Sequence, residues 1–311
     1  VLAITITLAA VTLNRWPATE DLIAILSFVV IVAAGFVPSR REPDAPFLAT
    51  QRWGYRDLII IFGVITVIGL LPPPSVSVQT RVGLWAIING SIAAFILASV
   101  WAVVRSKHRK PWRALGFDPA TALYNTLWSL RIALGLASVL AIFALVVRST
   151  APLPHAATSG PPRAVWHGQL ADFLAASFVT AVLGPVSEEA FFRGLAYGPL
   201  FRKFGAVGAA VGSAALWAAG HYSGASTGAF NVLSKFVLGI VYAEIYRRRE
   251  SLVPTVIFHI VGNTAVVFLA DRYFPALITF AGLSVGFWIL SIVLFHVVSQ
   301  SRARARDAKP V

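Results

Sequence analysis

The sequence predicts an all-α, polytopic helical membrane protein. Three observations carry that reading. Hydrophobic residues make up 57% of the 311 positions and charged residues only 13%, about half the share of a soluble domain. Mean hydropathy is +0.76. Apolar segments recur along the chain, several of them of the length that crosses a hydrocarbon core. The 26 lysines and arginines fall mainly on alternate sides of those segments.

Ten apolar segments are expected, at 1–13, 22–38, 58–72, 83–104, 126–147, 169–200, 206–222, 229–246, 252–270 and 276–299. None alternates as a barrel strand does, so helices are the spanning element. The first, Val1–Leu13, spans only about 20 Å at 1.5 Å per residue. It lacks a basic flank and reads as a clipped membrane helix. The segment 169–200 is too long for one simple crossing, and a bend is expected at Gly184-Pro185, where the ring removes a donor. The stretch 148–168 is rich in Pro, Ala, Ser and Gly and reads as an irregular outer loop. The organisation expected is an amino-terminal helical block over 1–150, a catalytic membrane domain over 169–270, a last helix over 276–299 and a basic tail over 300–311.

With the amino terminus placed in the cytoplasm, inner loops hold 18 lysines and arginines and outer loops 5. The remaining three, Arg131, Arg193 and Lys235, lie inside segments. The split predicts a cell-membrane protein with both termini cytoplasmic. The net charge of +13 is thereby assigned to membrane topology rather than to nucleic acid, for which no stacking motif or basic helix face argues. Cysteine is absent, which excludes disulfides and thiolate chemistry.

The polar residues concentrate in the second half. Glu188 and Glu189 are adjacent, hence 100° apart on a helix and unable to face one direction. Glu189 and Arg193 stand at i, i+4, where acid and base meet along a helix. Glu188 is the freer carboxylate and the candidate base. The bland alternative is an acid–base cluster at a helix end, with Arg202 and Lys203 following. His221 closes a segment that also holds Trp217. His259 and Asn263, again at i, i+4, share a helix face. Singly, each of these polar residues reads equally as a structural contact. Ionisable groups in apolar segments otherwise mark function.

Together the motifs resemble the CPBP or Abi family of intramembrane proteases, of the CAAX-processing and bacteriocin-processing type. The resemblance lies in Glu188-Glu189-Ala190-Phe191-Phe192-Arg193-Gly194, Trp217-Ala218-Ala219-Gly220-His221 and His259-Ile260-Val261-Gly262-Asn263. Gly239-Ile240-Val241-Tyr242, Arg248 and Ser251-Leu252-Val253-Pro254 are similar to its third region, so the likeness covers roughly 170–270. Trp217 stands where that family usually has Phe, which bears on cavity shape. The resemblance implies that Glu188 activates water with the help of His221. It further implies that His259 and Asn263 stabilise an oxyanion and that Glu189 and Arg193 set the helix geometry.

These residues would converge in one cavity opening toward the cytoplasm. No cofactor is expected. A zinc version, with Glu188, His221 and His259 as ligands, is the competing account: two histidines and a carboxylate can hold zinc, but no His-Glu-x-x-His is present. The partners implied are a membrane-associated peptide or protein substrate and the bilayer. A non-catalytic scaffold or immunity-type protein is the alternative from another class. A proton-relaying transporter would need charges spread through both halves.

Overall fold

The computed structural model describes residues 48, 51–69, 81–150, 170–221, 228–270 and 274–307. Among them the chain is helical, and the segments at 1–13 and 22–38 lie outside the described residues, as does the loop expected at 148–168 except for 148–150, which are helical. Helices α1 (Tyr55–Gly69), α2 (Arg81–Trp101) and α3 (Pro119–Thr150) come first, followed by α4 (Leu170–Phe178), α5 (Gly184–Glu189) and α6 (Tyr197–Gly220). Then come α7 (Gly228–Arg249), α8 (Leu252–Ala270) and α9 (Phe274–Asp307).

Among the described residues, four stretches are long and apolar enough to cross a membrane: Gly83–Lys107, Trp112–Ile142, Leu174–Gly220 and Ile278–Arg304. Only 22–39% of each apolar window is buried inside the protein. Outward-facing Val207, Ile87 and Ile60 are 77%, 66% and 62% exposed, as lipid-facing side chains are. The protein is therefore a multi-pass helical membrane protein, but the count of ten segments is not supported. α1 has 15 residues, and α7 carries Lys235, Glu244 and Arg247–Arg249. The division expected between the segments at 169–200 and 206–222 coincides with a break in helical dihedrals at Gly205.

That run is irregular in an informative way. π turns occupy Val179–Leu183 and Ala190–Ala196. Gly184 keeps helical dihedrals, φ −56° and ψ −60°, so the helix continues through Gly184-Pro185, where the bend is expected. The wide turn before Pro185 absorbs its missing donor. The chain breaks instead at Gly205, at φ 72° and ψ −176°, a conformation open to glycine because it has no Cβ. Arg202 and Lys203 precede that break inside the helix, so the inner loop expected there is helical.

Two compact units divide the chain, one comprising Val1–Ser77, Ser91–Leu115 and Ser187–Glu250, the other Val78–Gly90, Gly116–Val186 and Ser251–Val311. In the first unit, the segment before α1 is fastened by side chains. Trp53 is fully buried and donates from Nε1 to the Leu195 carbonyl at 2.8 Å. Gln51 donates to the Ala114 carbonyl at 3.0 Å and to the Tyr246 hydroxyl at 2.9 Å. Arg202 donates to the carbonyls of Gln51 at 3.1 Å and Trp53 at 2.5 Å. These bonds satisfy backbone groups that no helix ladder would reach.

Asp57, in the first turn of α1, accepts from the Gly54 amide at 2.9 Å, from Lys107 and across 3.1 Å from His108. Burial pushes its carboxyl up, but Lys107, the Gly54 amide and His108 outweigh that and hold it below 3.8. α6 and α7 pack closely where Gly239 meets Ala214. A Cβ at 239 would lie 2.8 Å from the Ala214 Cβ and 2.9 Å from its Cα.

In the second unit, α3 packs along α8 and α9. Asp118 opens α3 by accepting from the Ala120 amide, with Pro119 at the first helical position, where its lost donor is harmless. Ala137, Ala141, Ala265, Phe280 and Ala281 form a small-residue core. Trp288 lies against Gly135, within 2.9 Å of where a Cβ would be. Arg131, the charged residue expected inside a segment, stacks over the Phe295 ring at 4.1 Å. Ser251 opens α8, accepting from the Val253 amide at 3.3 Å and donating to the Gly116 carbonyl at 3.0 Å.

Candidate active site

The sequence-designated residues fall in both units. Glu188, Glu189, Arg193, Trp217 and His221 belong to the first, and His259 and Asn263 to the second.

In the first unit, Glu188 and Glu189 end α5 and Arg193 sits in the π turn that follows. The two carboxylates part as their helical offset requires. Glu189 turns inward and accepts from Arg193 Nη1 at 2.8 Å, both side chains being fully buried. Arg193 also donates from Nη2 to the Gly239 carbonyl at 3.0 Å. Its guanidinium lies over the rings of Trp217 at 5.1 Å and Tyr242 at 5.4 Å. A buried pair held by further hydrogen bonds and ring faces recovers the desolvation that such a pair costs.

Glu188 faces the other way and is partly open, its side chain 22% exposed. Trp217, near the end of α6 and only 1% exposed, donates from Nε1 to Glu188 Oε2 at 2.5 Å. His221 caps the end of the same helix. Its Nδ1 lies 2.9 Å from the Trp217 carbonyl. A carbonyl only accepts, so Nδ1 carries the proton. Nε2 then points at Glu188 Oε2 across 3.7 Å. The imidazole and indole rings meet edge to face, with centroids 5.1 Å apart. Trp217 thus orients both polar groups at once, the carboxylate through its ring nitrogen and the imidazole through its backbone.

On the opposite side of the indole lies a residue that sequence reasoning counted only as a charge within a segment. Lys235 of α7 places Nζ 5.3 Å from the Trp217 ring centroid, and its charge and that of Glu188 interact. The signal was a single lysine inside an apolar stretch.

In the second unit, His259 and Asn263 stand one turn apart on α8, as their spacing predicts. His259 is buried, 1% exposed. Asn263 donates from Nδ2 to the Thr180 carbonyl at 2.9 Å, in the π turn Val179–Leu183. That widened turn releases carbonyls from the regular ladder, and Asn263 takes one of them. Among the described residues no three His, Cys, Asp or Glu side chains are grouped to hold a metal ion.

Fold and site together define a multi-pass helical membrane protein with a buried acid–base cluster built around one indole. Residues 170–265 match the family model described as type II CAAX prenyl endopeptidase Rce1-like. The resemblance read from the three motifs is thereby shown, over the region that carries them. No curated protein and no solved structure matches the chain.

Proposed function

We propose that the protein is an intramembrane endopeptidase in which Glu188 and His221 activate a water against a peptide bond of a membrane-associated substrate. The observation that carries the reading is the geometry of that pair. Glu188 Oε2 and His221 Nε2 face each other across 3.7 Å, with Trp217 fixing the outer side of each, and in the neutral imidazole with its proton on Nδ1 both are acceptors. A water within hydrogen-bond reach of both donates one proton to each acceptor, leaving a lone pair for attack. The water oxygen bonds to the carbonyl carbon, Glu188 takes the proton, and the same proton passes to the leaving amine as the C–N bond breaks. By the family resemblance, His259 and Asn263 supply donors to the oxyanion, which is where such donors act most strongly. Glu189 and Arg193 hold the helix rather than the substrate. The even alternation of basic loops supports cytoplasmic termini in the cell membrane.

The test is cleavage of a prenylated CAAX-type peptide by the purified full chain in detergent. Glu188→Gln keeps the shape and removes the base. Turnover should fall at least ~10²-fold with unchanged melting temperature. Full activity in this variant would end the glutamate mechanism. Activity abolished by a chelator and restored by zinc would move the reading to a metal-assisted one.

A further inference from the structure

Lys235 is a half-buried ammonium on a helix, and among the described residues it has no hydrogen-bond or ion-pair partner. Its neighbours are the face of Trp217 at 5.3 Å and, at longer range, the charge of Glu188. The other cation of the cluster is engaged elsewhere: Arg193 is bound to Glu189 and to the Gly239 carbonyl. A lysine in an apolar segment can instead run its stem along the surface to reach water. Lys235 keeps its ammonium beside the face of the buried Trp217 ring. An ammonium kept in an apolar setting is costly unless an anion joins it.

We propose that Lys235 receives a carboxylate of the substrate, anchoring it beside the Glu188–His221 pair. The indole separates the two functions. Its nitrogen edge holds Glu188 while its face carries Lys235. The shared chemistry has two sources, the carboxyl terminus of a peptide or an acidic side chain near the scissile bond. The inference rests on the protease reading, and it makes Lys235 a specificity-determining residue.

Three fluorescent peptides ending in a prenylated C-a-a-X sequence distinguish the sources. One has a free terminal carboxylate, one a carboxamide, and one a carboxamide with Asp as its last residue. The wild-type protein should cleave the free acid at least ~10-fold better in kcat/KM than the plain amide, the scale of a charge-assisted contact, mainly through KM. Lys235→Met should bring the ratio close to one, and Lys235→Arg should keep most of it. Recovery of the Asp peptide would show that a side chain serves, and its failure that the terminus is read. Equal cleavage of acid and amide by the wild type, or an unchanged ratio in Lys235→Met, would overturn the proposal. If the wild type cleaves none of them, the protease reading fails. Fluorescence anisotropy of the same peptides then decides on Lys235: an acid-over-amide binding preference lost in Lys235→Met sustains it, and equal binding overturns it.

Discussion

Arg193→Ala isolates what the buried pair contributes. The change removes the guanidinium bonded at Glu189 Oε1, a carboxylate with no exposed surface. It also takes the donor from the Gly239 carbonyl and the cation from between Trp217 and Tyr242. Breaking a buried pair from one side costs about 3–5 kcal/mol, because a charge is left stranded. At about 2–4 °C per kcal/mol, the melting temperature in detergent should fall by about 6–20 °C. The decisive comparison is the double variant Glu189→Gln/Arg193→Met. It removes both charges and retains much of the volume, and such replacements are often close to neutral. It should therefore melt well above Arg193→Ala. A single variant as stable as the wild type, or a double variant no better than the single, would refute the view that the pair is structural. Loss of turnover with unchanged melting would place Arg193 on the substrate.

Other outcomes follow from the same coordinates. Gly239→Ala should destabilise by about 1–3 kcal/mol, the scale of overpacking, because its Cβ would meet Ala214 backbone at 2.9 Å. Gly282→Ala, where nothing lies within 4 Å, should be neutral or stabilise by up to about 1 kcal/mol, and equal melting of the two would remove the packing argument. For Asp57, the folded carboxyl titrates below its ordinary 3.8. The stability it contributes is present above about pH 4 and is lost as the pH falls further. Asp57→Asn should start lower at pH 7 and lose less on acidification toward pH 3, and parallel melting curves for the two proteins would contradict it.

Much of the site was legible because helical spacing is a strict ruler. The i, i+4 interval put Glu189 with Arg193, and the 100° offset turned Glu188 away from it, as the coordinates show. His259 and Asn263 share a face of α8 for the same reason. What escaped the sequence depends on long-range packing. The indole nitrogen of Trp217 reaches Glu188 across 29 positions, and Trp53 reaches the Leu195 carbonyl across 142, neither of which has a local signature. Apolar length was also a poor guide to segment count. It reports burial or lipid contact without saying which, although the boundary it places between 200 and 206 does contain the backbone break at Gly205. At Pro185 the helix continues without interruption, with a π turn immediately before the proline. Lys235 was visible as an isolated charge, but its place over Trp217 required α6 and α7 to be packed together.

The π turn at Ala190–Ala196 has a consequence for how this helix tolerates change in length. A π turn holds one residue more than an α turn, so it acts as a one-residue insertion that the helix has accommodated without a loop. Every side chain downstream is advanced by about 100° around the axis relative to an unbroken α-helix. The turn therefore sets the rotational phase between Glu188, which precedes it, and the Arg202 clamp that follows. Deleting a single residue within 190–196 would let the ladder close to plain α geometry while swinging one of those two functions off its face. A helical wheel drawn through the whole segment makes the same error on paper, since it assigns one face to residues that occupy two.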